Sequence, residues 1–508
     1  MREQRKTEET LIVSGERLTL ENVREVAVYG RKIAIDGDAR KRMDASYALV
    51  GEILRSGRPT YGISTGFGDF SRVHLSDAQN YRLQLNLIRS HASGTGRPFD
   101  VKTVRAIMLL RLNALCVGYS GVNPEITDLL ASLLNRGVTP VIPEQGSLGA
   151  SGDLANLAHM SLVLVGEGRA IVDGIEMSGG EALALKQLKP IRLCGKDGLA
   201  LINGTAVMLG VGTLAYLEAE DVLQAATGAA ALSFEALHGF RNAYDNRIHK
   251  LRNKTGQIEI ASQMLRLLEG SAYADTRTED VQDAYTLRCV PQVHGASFDA
   301  FAYIREVLAS EANAVTDNPL VFTQTGEVIS GGNFHGQPLA LALDFLGIAV
   351  AELANISERR TERLVNPQLS GLPAFLVEEG GVQSGFMIPQ YVAASLVSEN
   401  KVLAHPASVD SIPSSANKED HVSMGAIAAR KVRTIVENAR HVIAIELMCA
   451  AQAIDLQESR RLGEGTNRLY SLIRQYVPKL TEDRPPSADI GLIASLIADG
   501  RVSEVMRF

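Results

Sequence analysis

The feature that most constrains this chain is a change of texture near Leu199. Beyond it, residues 209–239, 297–312, 338–363, 391–403 and 425–456 are Ala- and Leu-rich runs with few internal breakers. Ala and Leu lose little on entering a helix, so these runs predict long helices that bury their apolar faces against one another. The expectation is a bundle of long, nearly parallel helices, extended by C-terminal helices. Residues 1–198 read differently, because short apolar runs alternate there with turns such as Ser56-Gly57-Arg58-Pro59 and Asn135-Arg136-Gly137. The fold class is therefore mainly α, with a mixed N-terminal domain over 1–198 and a long-helix domain over 199–508.

Local patterns refine this outline. Residues 102–117 have apolar side chains at helical spacing and stop at Gly118. Hairpins are expected over 170–177, around Asp173-Gly174, and over 321–329, around Thr325-Gly326. In 357–363, Glu358, Arg359, Glu362 and Arg363 stand at helical offsets, which reads as a solvated or interface charge lattice. Residues 198–217 carry no charge and are long enough for a membrane span, but Asn203, Gly204, Thr205, Gly210, Gly212 and Thr213 interrupt them. A buried core helix with a polar turn is expected instead.

Composition narrows the class of function. A 45% hydrophobic share with 21% charged residues is that of a folded soluble chain, and a net charge of -7 gives no basic balance for nucleic acid. Cys116, Cys194, Cys289 and Cys449 are too few and scattered for a disulfide framework, and no CxxC or HExxH spacing marks a metal site. Residues 2–6 are basic with no apolar run of signal-peptide type after them, so a cytoplasmic protein without membrane or nucleic-acid partners is expected.

The most informative segment is Gly146-Ser147-Leu148-Gly149-Ala150-Ser151-Gly152-Asp153-Leu154, followed by a helical run. The plain reading is a glycine-rich N-cap in which Ser151 or Asp153 accepts the first helical amides. That accounts for Asp153 but gives no reason for three small residues in series. In a compressed loop the amide nitrogen of Gly152 can attack the carbonyl of Ala150, and loss of water closes a five-membered ring. Dehydration of Ser151 then leaves an exocyclic methylidene.

This segment resembles the signature of the aromatic amino-acid ammonia-lyases and aminomutases that use 4-methylideneimidazole-5-one (MIO), with Asn156 where the family commonly has Pro. Further motifs extend the resemblance over nearly the whole chain. Tyr61-Gly62-Ile63-Ser64-Thr65-Gly66-Phe67-Gly68 resembles the loop that presents the catalytic tyrosine, with Ser64 where many relatives have Asn or Thr. Gln282-Asp283-Ala284-Tyr285-Thr286-Leu287-Arg288 resembles the block supplying Gln282, Tyr285 and Arg288, the last suited to grip a carboxylate with a planar fork. Their three- and six-residue offsets share a face if the segment is helical. The resemblance also implies that Asn203 meets the carboxylate and the prosthetic ring, and that Phe334, in Gly332-Asn333-Phe334-His335-Gly336, covers the electrophile. His335 reads as structural.

Substrate preference rests on two places. His91 stands where phenylalanine-selective relatives have an apolar or aromatic residue, whereas histidine- and tyrosine-selective relatives both have His. The string Glu419-Asp420-His421-Val422-Ser423-Met424 resembles the histidine branch, with Lys418 where Gln is usual. A carboxylate suits an imidazole that donates a hydrogen bond, and beside a phenyl ring it would be left unpaired. The resemblance thus implies an ammonia-lyase/fumarase-like helical architecture and a homotetramer with shared active sites. It also implies elimination of ammonia from L-histidine to give urocanate, with Tyr61 removing a β-proton and no metal or external cofactor. A tyrosine lyase or an aminomutase that re-adds ammonia at the β-carbon stays open, as does a helical assembly protein without catalysis.

Overall fold

The computed structural model describes residues 9–56, 60, 62–63, 77–278 and 280–507. The long helices are present as Ala206–Ala236, Val290–Glu311, Gln337–Val365, Met387–Leu403 and Gly425–Asp455. Val290–Glu311 starts earlier than expected because Pro291 and Gly295 read as breakers. Proline is tolerated in a first turn. Gly295 is there because a Cβ on it would lie 2.5 Å from the Gln257 amide nitrogen, so two backbones meet at that point.

The chain forms two compact units. One comprises Met1–Leu217, Arg305–Asp344 and Pro406–Arg430; the other comprises Glu218–Ile304, Phe345–His405 and Lys431–Phe508. Each unit is thus drawn from interleaved stretches, whereas the expected boundary at 198/199 marks a change of composition.

The first unit holds the small sheets. Val138–Pro140, Arg169–Val172 and Ile175–Ser178 form an antiparallel three-stranded sheet, so the expected hairpin gains a third strand. Its turn residues Asp173 and Gly174 have φ of 52° and 81°, as a two-residue hairpin turn requires. Leu320–Phe322 pairs with Glu327–Ile329 as the second expected hairpin. Thr95–Pro98 pairs with Pro143–Gln145, and the latter strand delivers the chain to Gly146. Asp100 caps Val101–Cys116, accepting from the Thr103 amide at 2.8 Å, and apart from Arg105 that helix is buried from Thr103 to Cys116. Residues 198–217 are buried throughout, with Asn203-Gly204-Thr205 breaking Asp197–Ile202 from Ala206–Ala236.

In the second unit, Ala225, Ala226, Ala229, Ala230 and Ala231 are fully buried, small side chains that admit close neighbours. Of the charge lattice expected at 357–363, Arg359 is exposed and Glu362 and Arg363 are half-buried, whereas Glu358 is only 2% exposed; Arg360, outside that expectation, is 0% exposed. Arg360 meets both oxygens of buried Glu446 at 2.5 and 2.9 Å, and the hydroxyls of Ser233 and Ser357 donate to the same carboxylate at 2.7 and 2.6 Å. These four bonds to one carboxylate are what permit a buried charge pair. Among the described residues, Gln337–Val365 is long and apolar enough to cross a membrane, and 67% of its apolar window is buried inside the protein.

Candidate active site

The strand Pro143–Gln145 and the helix Leu154–Leu164 hold the Ala150-Ser151-Gly152 loop between them. Gly149 and Gly152 pair across the turn, and Gly152 also pairs with Gly204. Ser151 has φ of 51°, a left-handed conformation that is unfavourable for any residue with a Cβ. A Cβ on Gly152 would fall 2.2 Å from the Gly204 carbonyl oxygen, and one on Gly149 would fall 2.1 Å from the Ser423 hydroxyl. The tripeptide is therefore pressed between two other segments of the first unit.

Asp153 fastens the loop, though not as the sequence suggests. It makes no side-chain cap to its own helix. Its Oδ2 instead accepts from the Val207 and Met208 amides, each at 2.9 Å, at the start of Ala206–Ala236. The Ser147 hydroxyl donates to its Oδ1 at 3.0 Å, and its own amide donates to the Gly204 carbonyl at 2.8 Å. Burial pushes the Asp153 carboxyl up to about 6, against the pull of these hydrogen bonds. Asn156, also fully buried, donates to the Pro143 carbonyl at 2.6 Å and ties the helix to the incoming strand.

Glu419 lies beside the tripeptide. The Ser151 hydroxyl donates to its Oε1 at 2.9 Å, and the Ser414 hydroxyl donates to its Oε2 at 3.0 Å. Ser414 and Glu419 exchange backbone hydrogen bonds at 3.0 and 3.3 Å across a loop in which Ser415, Ala416 and Asn417 have φ of 50°, 52° and 63°. Each left-handed residue costs roughly 1–3 kcal/mol, a strain typical of segments held in place for function. A cavity of about 220 Å³ is lined by His91, Ser147, Ala150, Gly152, Ser414 and Glu419 among others. Burial lowers the His91 pKa, opposed by the Leu87 carbonyl and the Glu419 charge, which favours a neutral imidazole.

Asn203 follows Asp197–Ile202 and directly precedes Gly204. Its Nδ2 donates to the Asn318 carbonyl at 3.0 Å, and its buried Oδ1 has no partner among the described residues. Phe334 is half-buried in a loop whose last residue, Gly336, abuts Met208 and Ser423. His335, read as structural, stacks on His421 with ring centroids 5.5 Å apart. In the second unit, Gln282, Tyr285 and Arg288 come together. Arg288 Nη1 donates to Gln282 Oε1 at 2.6 Å, and its guanidinium lies 4.6 Å from the Tyr285 ring centre. Only Tyr285–Arg288 is helical, so Gln282 joins the group from the preceding loop. Tyr61 lies outside the described residues.

The sequence pattern of the family described as "Aromatic amino acid lyase" matches residues 18–475. The chain belongs to this family. Among its relatives, the histidine ammonia-lyase of Treponema denticola is 60% identical over 488 residues, covering 96% of each chain. The solved histidine ammonia-lyase of Trypanosoma cruzi has a TM-score of 0.92 at 42% identity, covering 98% of this chain and 95% of that one. Tyrosine aminomutase of Streptomyces globisporus has a TM-score of 0.94 at 38% identity, with 98% coverage of both. Lyases and aminomutases of the family thus share this fold. Residues of this aromatic amino acid lyase that sequence reading passed over are Ser414, which anchors Glu419, and Ser423, which meets both Gly149 and Gly336. Neither carries a signal in isolation, because a serine's role depends on what the fold sets opposite it.

Proposed function

We propose that this chain is a histidine ammonia-lyase that eliminates ammonia from L-histidine to leave trans-urocanate, the first step of histidine breakdown. The observation that carries the substrate is the Glu419 carboxylate, 2.9 Å from the Ser151 hydroxyl in a site that His91 also lines. An imidazole can donate to that carboxylate, whereas a phenyl ring would strand it. The family's ring, MIO, formed from Ala150, Ser151 and Gly152, is part of this reading. The residues fit it, since the loop doubles back between Gly149 and Gly152, and Gly152 sits where no Cβ is admitted. Once formed, the methylidene supplies an electrophile that makes the amine a good leaving group.

The protein's own side chains do the rest. Tyr61 takes the β-proton, a task that requires its phenol to be deprotonated well below the usual value of about 10. Arg288, oriented by Gln282 and stacked on Tyr285, grips the carboxylate of the substrate. Asn203 lends its Oδ1, which has no partner among the described residues, Phe334 excludes water, and His91 with Glu419 orients the imidazole. A homotetramer with shared sites is part of the proposal, supported by the exposed Phe345, Ile348, Tyr391 and Val392 on two long helices of the second unit. So are a cytoplasmic location, independence of metal, and the division of the sequence near residue 198. Incubating the full chain with L-histidine, L-tyrosine and L-phenylalanine, with urocanate absorbance and product identity followed, tests the reading. Urocanate from L-histidine with the highest kcat/KM is expected. A preference for tyrosine, or a β-amino acid product, would replace it with the tyrosine lyase or aminomutase reading.

A further inference from the structure

Lys196 and Asp317 form an ion pair at 2.5 Å whose side chains are 0% and 1% exposed. Such a pair gains little net stability over apolar residues of the same size, so its position asks for another reason. Asp317 Oδ2 meets Lys196, while its Oδ1 accepts from the Asn318 amide at 2.7 Å. The Asn318 carbonyl in turn accepts from Asn203 Nδ2 at 3.0 Å. A carbonyl can only accept, so this bond decides which way the Asn203 amide faces and leaves its Oδ1 buried and, among the described residues, unpartnered.

The surroundings of Asp317 reinforce the point. Arg111, also wholly buried, donates to the Thr316 carbonyl at 2.8 Å and to the Ala200 carbonyl. Asn318 Oδ1 accepts from the Gly331 amide at 2.8 Å, at the base of the loop that carries Phe334. A Cβ on Gly62 would lie 3.1 Å from the Pro319 ring. Residues 316–319 are thus held by two buried cations and meet the Asn203 turn, the Gly331 loop and Gly62, and Gly204 beside Asn203 pairs with Gly152.

We infer that Asp317, held by Lys196, is a positioning residue for the lyase reaction, which aims Asn203 Oδ1 at the substrate through the Asn318 peptide. This rests on the reading of Asn203 as a substrate-side residue. Asp317 touches no reacting atom; it acts by fixing one hydrogen-bond acceptor in place.

The test uses two double variants of the full chain that remove both charges of the pair, so neither Lys196 nor Asp317 is left buried without the other, and Arg111 and Asp197 have the same surroundings in both variants. Lys196→Met/Asp317→Asn keeps an oxygen for the Asn318 amide, and Lys196→Met/Asp317→Leu does not. With equal thermal midpoints and equal maturation by intact mass, the Asn variant should hold kcat/KM for L-histidine within a few-fold of wild type. The Leu variant should lose on the order of tenfold to a hundredfold. In an Asn203→Ala background the two should become equal, because the residue through which Asp317 acts is gone. A gap of the same size in both backgrounds would overturn the inference and assign the pair a general structural role. A folded, matured Asn variant that itself loses tenfold or more in kcat/KM against wild type would also overturn it, and this outcome is readable even if the Leu variant fails to fold. Wild-type kcat/KM in Asn203→Ala alone would overturn both the inference and the reading of Asn203.

Discussion

Ser151 is held at a positive φ between a glycine that admits no side chain and a carboxylate that accepts its hydroxyl. If this loop matures as proposed, the protein should weigh two waters less than the encoded chain by intact-mass spectrometry. With no Trp in the sequence, the new ultraviolet absorption should stand clear of the protein background. Ser151→Ala should lack the methylidene and nearly all activity, and an undiminished rate would sink the prosthetic-group reading. Glu419→Gln keeps size and hydrogen bonding but removes the charge proposed to face the substrate. It should lower turnover of L-histidine at least tenfold, roughly the cost of mispairing one polar group in a closed site, with an unchanged melting temperature. Equal specificity constants in variant and wild type would show that Glu419 does not read the substrate. The motif around Glu419 was legible in the sequence. Its setting was not, because the Ser414 bridge and the left-handed run at 415–417 arise from how that loop closes.

At the scale of elements, the reassignment of Asp153 matters most. Sequence reading placed it at the start of its own helix, yet it accepts the first amides of Ala206–Ala236 and so joins the tripeptide loop to the buried start of that helix. A helix N-terminus welcomes a carboxylate, but burial here outweighs that effect and raises the pKa from 3.8 to about 6. The folded state therefore holds this proton more tightly than the unfolded state. The stabilising contribution is fully present below about 4 and is lost as pH rises through about 6, a difference on the order of 3 kcal/mol. Asp153→Asn, which cannot titrate, should gain stability relative to wild type as pH climbs across that window. Thermal midpoints measured at several pH values for both proteins check this, and parallel curves would contradict it. The hairpin over 170–177, by contrast, was readable from Asp173-Gly174 alone, since its turn needs only local chemistry.

For the whole molecule, the two units draw on interleaved stretches of chain, which no compositional boundary could disclose. The long helices of the second unit leave Phe345, Ile348, Tyr391, Val392 and Val402 between 41% and 67% exposed. Apolar surface of this kind is usually covered by a partner. Light scattering on the full chain should report a particle of four chains, and a stable, active monomer would refute shared sites. Introducing a charge at Ile348 and Tyr391 together should weaken assembly and activity in parallel.

Periodicity and breakers, read from the sequence alone, determined the long helices to within a few residues at most ends, the two hairpins and the core character of 198–217. Each depends on interactions between near neighbours in the chain. The run of three small residues singled out Ala150-Ser151-Gly152, and resemblance to the ammonia-lyase family, not residue type alone, pointed to His91, Asn203, Arg288 and Glu419. Only the tertiary structure decided that Arg360 is buried against Glu446, that Asp153 caps a distant helix, and that Asp317 reaches Asn203 through a peptide bond of Asn318. In each case a polar side chain has several partners within chemical reason, and burial selects among them. A charge removed from water must find hydrogen bonds wherever the fold provides them, and that choice is made by residues far away in sequence.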